Sequence, residues 1–300
     1  MTTTIGLCGL GQMGLAVAGR LAAHSPVVAF DPSPERRSLA DRIDNLTAVD
    51  TLEELTGLTV VVLSLPTPAI SLSTCEALAA LLPAGAVVIE TSTTTPDAIQ
   101  SCQSILGGHG LAIIDAAILS GVGQMSSGTA TLLLGGDTTV IDRVTDILDA
   151  IAPRREYFGE LGTGMAAKVI NNGVAHAVMV VLAEAASLAA ATGVDLDQLT
   201  QMLAAPDGGL MRPLTHRLTE RVARGDYEGG MPLDAARKDS TLALSLAQQH
   251  RVPLFALQGA HSVYEIAMSS GLARKDYSAL VTLWEHWTGR ELHFASEQPQ

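Results

Sequence analysis

Basic residues are scarce in this sequence, and lysine is the scarcer of the two kinds. Eighteen Lys and Arg stand against 31 Asp and Glu, which gives a formal net charge of −13 at pH 7. A surface of this sign repels phosphate backbones, so we expect no nucleic-acid partner. Three of the basic residues are lysines, at Lys168, Lys238 and Lys275, and all the others are arginines.

Cysteine is scarce as well. Cys8, Cys75 and Cys102 stand singly in apolar or helical stretches, and the eight histidines show no paired ligand spacing. This pattern predicts neither a disulfide framework nor a metal site. The N-terminus shows no basic leader, so we expect no targeting signal and a cytoplasmic location.

One long apolar run, residues 173–192, approaches the length of a membrane span. His176 and Glu184 interrupt it, and alanine is more frequent in it than leucine. These features predict a helix buried between domains or at a subunit interface, rather than a span in a membrane. Because the run is apolar on most sides, it favours a homodimer or homotetramer.

The first half of the chain alternates short apolar runs with helical patterns, which predicts a doubly wound, mostly parallel α/β sheet of the Rossmann type. Strands are expected at residues 4–9, 27–31, 59–65, 85–90 and 111–115, with further strands at 130–134 and 156–158 around a single helix at 139–150. The second half shows only helical patterns, and the first of them predicts one long helix over about residues 163–192, ended by Gly193. We therefore predict a dinucleotide-binding domain over residues 1–161 and an all-helical substrate and dimerisation domain over 162–300.

A glycine motif follows the first expected strand and opens a helix. It consists of Gly9, Leu10, Gly11, Gln12, Met13 and Gly14. Glycines in this order permit a tight turn, close approach of a pyrophosphate and close helix packing. Asp31 ends the second strand, where a carboxylate can accept hydrogen bonds from ribose hydroxyls, which favours NAD over NADP. Asp31 as a simple turn residue, and NADP bound through Arg36 and Arg37, stay open as alternatives.

Lys168 is isolated, with no other Lys or Arg between Arg155 and Arg212. Its surroundings are almost wholly apolar, and lysine, unlike arginine, can lose its proton when desolvated. Asn172 lies one helical turn later on the same face. This pair is a candidate catalytic group, although an exposed lysine at a helix start would give the same pattern.

Motifs along nearly the whole chain, about residues 5–285, resemble those of the β-hydroxyacid dehydrogenase family, which includes 3-hydroxyisobutyrate dehydrogenase and tartronate semialdehyde reductase. They follow the family order: the glycine motif, residues 90–96 (Glu-Thr-Ser-Thr-Thr-Thr-Pro), Asp115-Ala116 with Gly121 and Gly128-Thr129, residues 162–172 and Lys238-Asp239.

The resemblance implies roles for single residues. Lys168 is expected to be the general acid/base and Asn172 to orient the substrate. Thr93 is expected near the nicotinamide and Lys238 against the cofactor, although they could be a helix cap and a solvated helix residue. We also assign Leu65 and Pro66 to cofactor binding.

The segment after Asp115 departs from the family pattern. Family members usually read Asp-Ala-Pro-Val-Ser-Gly-Gly, whereas here Leu119 stands at the serine position and Ser120 at the first glycine. We expect Ser120, Gly121 and Val122 to hold the substrate's anionic group. Either Ser120 does so from a shifted loop, or the pocket has become more apolar.

These features predict hydride transfer between NAD and a small anionic β-hydroxy acid, or its aldehyde, such as 3-hydroxyisobutyrate or glycerate. Two alternatives remain. One is an imine or iminium reductase of the same architecture, in which the lysine is commonly replaced. The other is a non-catalytic NAD(H)-binding sensor.

Overall fold

The computed structural model describes residues 3–292 and 294. The chain divides into two compact units between Gly173 and Val174, each of which is described by itself. The division falls inside a helix, ten residues after that helix begins at Thr163. The domain boundary predicted after residue 161 stays a prediction.

In the described part of the first unit, eight strands form one sheet in the order β3-β2-β1-β4-β5-β6-β7-β8. Neighbouring strands are parallel, except for the antiparallel pair β6 and β7. The strands are β1 (Ile5–Cys8), β2 (Val27–Phe30), β3 (Leu46–Val49), β4 (Val60–Leu63), β5 (Val87–Glu90), β6 (Ala112–Leu119), β7 (Thr131–Gly135) and β8 (Arg154–Tyr157).

Helices connect these strands, and several begin with a side-chain cap followed by proline. Ser33, Thr67 and Thr95 each accept a hydrogen bond from a backbone N–H of the first helical turn. Proline follows each cap, where its missing N–H costs nothing. The helices are α1 (Gln12–Ala22), α2 (Pro34–Ala40), α3 (Pro68–Leu81), α4 (Pro96–Gly107), α5 (Val122–Ser126), α6 (Thr138–Arg143) and α7 (Thr145–Ile151).

The sheet is covered on both faces. One apolar cluster contains Leu7 and Ile114, and a second on the other face contains Leu63 and Ile113. Strands β1, β4 and β5 are buried along their whole length, which explains why their sequences are apolar without alternation. The predicted Rossmann fold is confirmed.

Three local features differ from the sequence prediction. Strand β3 was not predicted, because its short sequence lies at the sheet edge and is only partly buried. Strand β6 continues to Leu119, four residues beyond the predicted end. The single helix expected over residues 139–150 is two helices, α6 and α7, that meet at Val144.

The second unit is helical. It contains most of α8 (Thr163–Thr192), α9 (Leu196–Ala204), a π-helix (Pro213–Arg221), α10 (Leu233–His250), α11 (Phe255–Ser269) and α12 (Val281–Thr288). Two buried carboxylates organise it. Glu184 accepts hydrogen bonds from the N–H groups of Ala256 (2.7 Å) and Leu257 (3.2 Å) at the start of α11. Asp276 pairs with Arg217 at 3.2 Å.

Helix α8 runs over the residues predicted for it and ends before Gly193. Of the described helices, it alone is long and apolar enough to meet the length and composition criteria for a membrane span. Only 11% of its most apolar window is buried within the chain. Its apolar side chains, such as Val174 (59% exposed) and Met179 (62%), are therefore available for a further contact.

Candidate active site

A cavity of about 720 Å³ lies in the first unit, at the carboxyl ends of β1, β2, β4 and β5. This edge is where open parallel sheets bind ligands, and the volume suits a cofactor or small molecule. Its walls comprise the glycine turn, the ends of these strands, the end of β6 and the first turns of α8.

The glycine turn forms one wall and is closely packed from behind. Gly9 has a φ of +99°, and a Cβ there would collide with the carbonyl oxygen of Ser64. A Cβ on Gly14 would collide with the carbonyl of Gly9, whereas Gly11 has no described atom within 4 Å of an added Cβ. The turn therefore leaves open space at Gly11, in front of the N-terminus of α1, where an anionic group is favoured.

Asp31 joins the glycine turn to the end of β2. Its Oδ2 accepts the N–H of Leu10 at 2.7 Å, and its Oδ1 accepts the N–H of Ser33 at 2.9 Å. Arg37 donates to the Asp31 carbonyl at 2.8 Å, whereas Arg36 lines the cavity. Of the two arginines that could bind the 2′-phosphate of NADP, only Arg36 therefore lines the cavity.

A chain of hydrogen bonds fixes the wall between β4 and β5. The N–H of Leu65 donates to Ser92 Oγ at 2.7 Å, and the N–H of Ser92 donates to Glu90 Oε1 at 2.8 Å. Leu65, Pro66 and Thr93 all line the cavity. Thr95, rather than Thr93, caps α4, so the structure does not support the alternative role of Thr93 as a cap.

Glu90 lies fully buried behind this wall. Burial raises its pKa to about 7, the side chains of Ser92 and Ser71 oppose the rise, and the charge of Asp115 adds to it. Its Oε2 has no hydrogen-bond partner among the described residues. A carboxyl group in this position retains its proton to a much higher pH than an exposed glutamic acid.

Lys168 and Asn172 both line the cavity from the start of α8. They are four residues apart and therefore lie on one face of the helix. Lys168 is half-buried, and burial lowers its pKa below the ordinary value for lysine. A lysine with a lowered pKa loses its proton more easily, which suits it to act as a base.

Ser120 follows β6 and also lines the cavity. Its Oγ is buried without a hydrogen-bond partner among residues 3–292 and 294. The N–H of Gly121 is already bound to Gln124 Oε1 at 3.1 Å, and Val122 is the first residue of α5. The cavity therefore includes Ser120 but not Gly121 or Val122, because α5 begins immediately and turns the chain.

One predicted cofactor residue of the first unit, Leu10, lies outside the cavity wall. The side chain of Leu10 is fully buried in the core of the first unit, so only its backbone serves the site, through Asp31. Lys238 is exposed on α10 of the second unit and pairs with Asp239 at 3.1 Å. Its contact with the cofactor stays a prediction.

Several residues that line the cavity were not predicted from the sequence. They are Phe30, Pro32, Ser64, Ile70, Thr74, Thr91, Ser92 and Ile118. Ser64, Thr91 and Ser92 follow β4 and β5 directly, so the rule that ligands bind at the carboxyl ends of parallel strands could have identified them. Ile118 could not have been identified in this way, because β6 is longer than its sequence pattern indicated.

The residues present fit the dinucleotide expected from the sequence. Side chains are excluded at Gly9 and Gly14, the space at Gly11 is open, and the Asp31 carboxylate stands beside the cavity. Among residues 3–292 and 294, no group of three or more His, Cys, Asp or Glu is arranged to hold a metal ion.

Two family models match consecutive parts of the chain. The model for the NAD binding domain of 6-phosphogluconate dehydrogenase matches residues 4–159, more than half of the chain. The model described as NAD-binding of NADP-dependent 3-hydroxyisobutyrate dehydrogenase matches residues 162–284.

Relatives with assigned names cover most of the chain. The 2-(hydroxymethyl)glutarate dehydrogenase of Eubacterium barkeri is 27% identical over 297 residues, which are 95% of this chain and 96% of the relative. The NAD-dependent L-serine dehydrogenase of Pseudomonas aeruginosa is 28% identical, over 72% of this chain and 74% of the relative.

Solved structures share the fold. The 3-hydroxyisobutyrate dehydrogenase of Mycobacterium tuberculosis, solved with L-serine, has a TM-score of 0.66 at 24% identity, over 95% of this chain and 99% of the other. An imine reductase from Pseudomonas sp. has a TM-score of 0.84 at 18% identity, over 95% and 100%. At these identities the likeness shows the fold alone.

Replacing Glu90 by glutamine tests the electrostatics of the wall. The folded protein retains the Glu90 proton up to about pH 7, whereas the unfolded chain releases it near pH 4.5. Stability from this group is therefore complete below that lower value and is lost as the pH rises towards 7. At pH 8 we expect Glu90→Gln to be more stable by up to about 3 kcal/mol.

Urea denaturation of the wild type and the variant at pH 5 and pH 8 measures this difference. Glu54→Gln, at an exposed position, is the matched control and should leave the pH dependence unchanged. If wild type and Glu90→Gln lost the same stability between the two pH values, Glu90 would not titrate in this range.

Proposed function

This chain belongs to the β-hydroxyacid dehydrogenase family, and we propose that its cavity brings NAD and a small β-hydroxy acid together for hydride transfer. The observation that carries this proposal is a single cavity lined by the glycine turn, Asp31, Lys168 and Asn172. The proposed dinucleotide site and a partly desolvated acid–base residue therefore line the same cavity.

The turn at residues 9–14 holds the pyrophosphate of the cofactor, and Asp31 holds the ribose hydroxyls. Leu65 and Pro66 would contact the cofactor, and Thr93 would lie near its nicotinamide end, since all three line the cavity. When bound, NAD supplies the acceptor for a hydride from the hydroxyl-bearing carbon. NADP is the less favoured cofactor, because the Asp31 carboxylate repels a 2′-phosphate.

Lys168 is the general acid/base of the reaction. In the direction of oxidation its neutral amine accepts the hydroxyl proton, and in the direction of reduction its ammonium returns a proton to the carbonyl oxygen. Burial supports this role because it disfavours the ammonium form. Asn172, one turn later, hydrogen-bonds the substrate and orients it towards Lys168.

The substrate is a small anion of the 3-hydroxyisobutyrate or glycerate type, or the corresponding aldehyde. Ser120 supports this assignment, because its hydroxyl is buried at the cavity and has no partner among the described residues. A substrate carboxylate that accepts this hydrogen bond would satisfy the buried group.

The imine reductase alternative rests on the fold alone. Lys168 argues against it, because such reductases commonly carry another residue there. The sensor alternative predicts tight NADH binding without turnover, so the same experiment decides between it and the dehydrogenase.

A panel of 3-hydroxyisobutyrate, glycerate, serine and threonate, assayed for NADH formation, tests the function. We expect turnover with at least one member and a kcat for Lys168→Ala at least about 100-fold lower, because positioned acid–base catalysis contributes that much. In the wild type, kcat for oxidation should rise with pH through a limb below the ordinary lysine pKa of about 10.4.

Lys275→Ala is the control, since Lys275 lies in the second unit and pairs with Glu228. It should turn over like the wild type. No turnover with any member, despite tight NADH binding, would contradict the dehydrogenase and favour the sensor.

Asp31→Ala tests cofactor choice. The variant removes the acceptor of two backbone N–H groups and the charge that repels a 2′-phosphate, so the NAD/NADP ratio of kcat/KM should fall at least about tenfold. Arg36→Ala, on the same wall, should instead weaken NADP. A ratio unchanged by Asp31→Ala would remove this residue from cofactor selection.

We also propose a cytoplasmic homodimer or homotetramer. The exposed apolar surface of α8 supports the oligomer, because large exposed apolar patches mark contact sites.

Light scattering of the purified protein should give at least twice the chain mass of 31.2 kDa. Val181→Glu should lower that mass, whereas Glu220→Gln, at an exposed position, should not. A wild-type protein that runs as a monomer at micromolar concentration would contradict this proposal.

A further inference from the structure

We infer that Asp115 is a positioning residue: by binding the start of helix α8, it fixes the position of Lys168 relative to Ser120, which follows β6. The inference rests on the proposed function of Lys168. Asp115 lies in β6, is fully buried and does not line the cavity, so it acts only through other residues.

Both carboxylate oxygens of Asp115 accept backbone hydrogen bonds from the start of α8. Oδ1 accepts the N–H of Gly162 and Oδ2 accepts the N–H of Met165, each at 2.8 Å. The N–H groups at a helix start have no partner within the helix, and a negative charge there is stabilised by the helix dipole. Asp115 therefore caps α8 from about 50 residues upstream in the sequence.

Small residues make room for this contact. Gly135 pairs with Asp115 across β6 and β7, and a Cβ there would lie 2.5 Å from Asp115 Oδ1. A Cβ on Gly164 would lie 2.8 Å from Oδ2. Any larger side chain at either position would push the helix start away from the carboxylate, so the sequence accommodates the contact from both sides.

Burying the Asp115 carboxylate at this position costs free energy, because its surroundings are apolar. It shares its face of β6 with Ile113 and Ala117, within an apolar cluster that also contains Leu133 and Met165. Burial raises its pKa, and the N–H groups of Gly162, Met165 and Gly164 oppose that rise. A buried carboxylate is stable only when such donors bind it, so the same hydrogen bonds fix the position of the start of α8.

The contact links the two parts of the proposed substrate site. Ser120 stands five residues after Asp115, immediately beyond β6, and Lys168 stands three residues after Met165 on α8. Asp115 thus holds the segment that carries the base at a set distance from the segment that carries the anion contact. Small misplacements of reacting groups cost large factors in rate.

Asp115→Asn is the test, because the amide keeps the shape but can accept through only one of its two terminal atoms. We expect kcat to fall about 10- to 100-fold while the Kd for NADH, measured by fluorescence, changes less than about twofold. Ile113→Val, on the same strand face, is the matched control: it lowers Tm by a cavity effect and should leave kcat within about twofold.

The pKa of Lys168 gives a readout that a purely structural role would not move. Because the chain has three lysines, reductive methylation with ¹³C-formaldehyde gives few signals, and Lys168→Arg assigns that of Lys168. Burial holds the Lys168 pKa down, so a helix start that is no longer held should let that pKa rise towards its ordinary value. If Asp115→Asn does not fold, the smaller Asp115→Ser is measured in the same way.

The inference would be overturned if the Lys168 pKa in the folded Asp115 variant were unchanged or lowered. It would also be overturned if Ile113→Val lost as much kcat as Asp115→Asn when the two variants have the same Tm. This titration needs no substrate. If the wild type turned over no hydroxy acid, the proposed function would fail, and the titration would still decide whether Asp115 positions Lys168.

Discussion

The bond between a buried carboxylate and the start of a helix is the interaction on which this structure depends most. Asp115 makes it in the first unit, towards α8, and Glu184 makes it in the second unit, towards α11. In both cases the acid is far from the helix start along the sequence, so one contact fixes two segments that local geometry alone would leave independent.

In the proposed active site, burial changes the pKa values of two ionisable side chains. Glu90 and Lys168 are both partly or wholly desolvated, and burial moves the pKa of each towards the neutral range, upward for the acid and downward for the base. Neither pKa shift favours the folded state, because each charged form is destabilised by burial. The apolar clusters on the two sheet faces supply the stability that offsets these costs.

The features that could be predicted from the sequence are those formed by residues close together along the chain. The glycine turn and the short capped helices depend on residues within a few positions of each other, so their patterns are visible before folding. The pairing of Leu65 with Ser92, and of Asp115 with Met165, joins residues 27 and 50 positions apart. No periodicity reveals such pairs. Strand β3 was missed for a related reason, because an edge strand owes its conformation to its neighbour rather than to its own sequence.

The position of the unit boundary within α8 bears on how such chains are assembled from parts. A chain cut after residue 161 would retain the whole sheet and the glycine turn, but it would lack Gly162 and Met165, the donors to Asp115. The Asp115 carboxylate would then lose the donors that offset its desolvation. A nucleotide-binding fragment that keeps this contact therefore has to extend into the first turns of α8. Lys168, three residues after Met165, belongs to the same compact unit as the sheet rather than to the unit formed by the helices that follow.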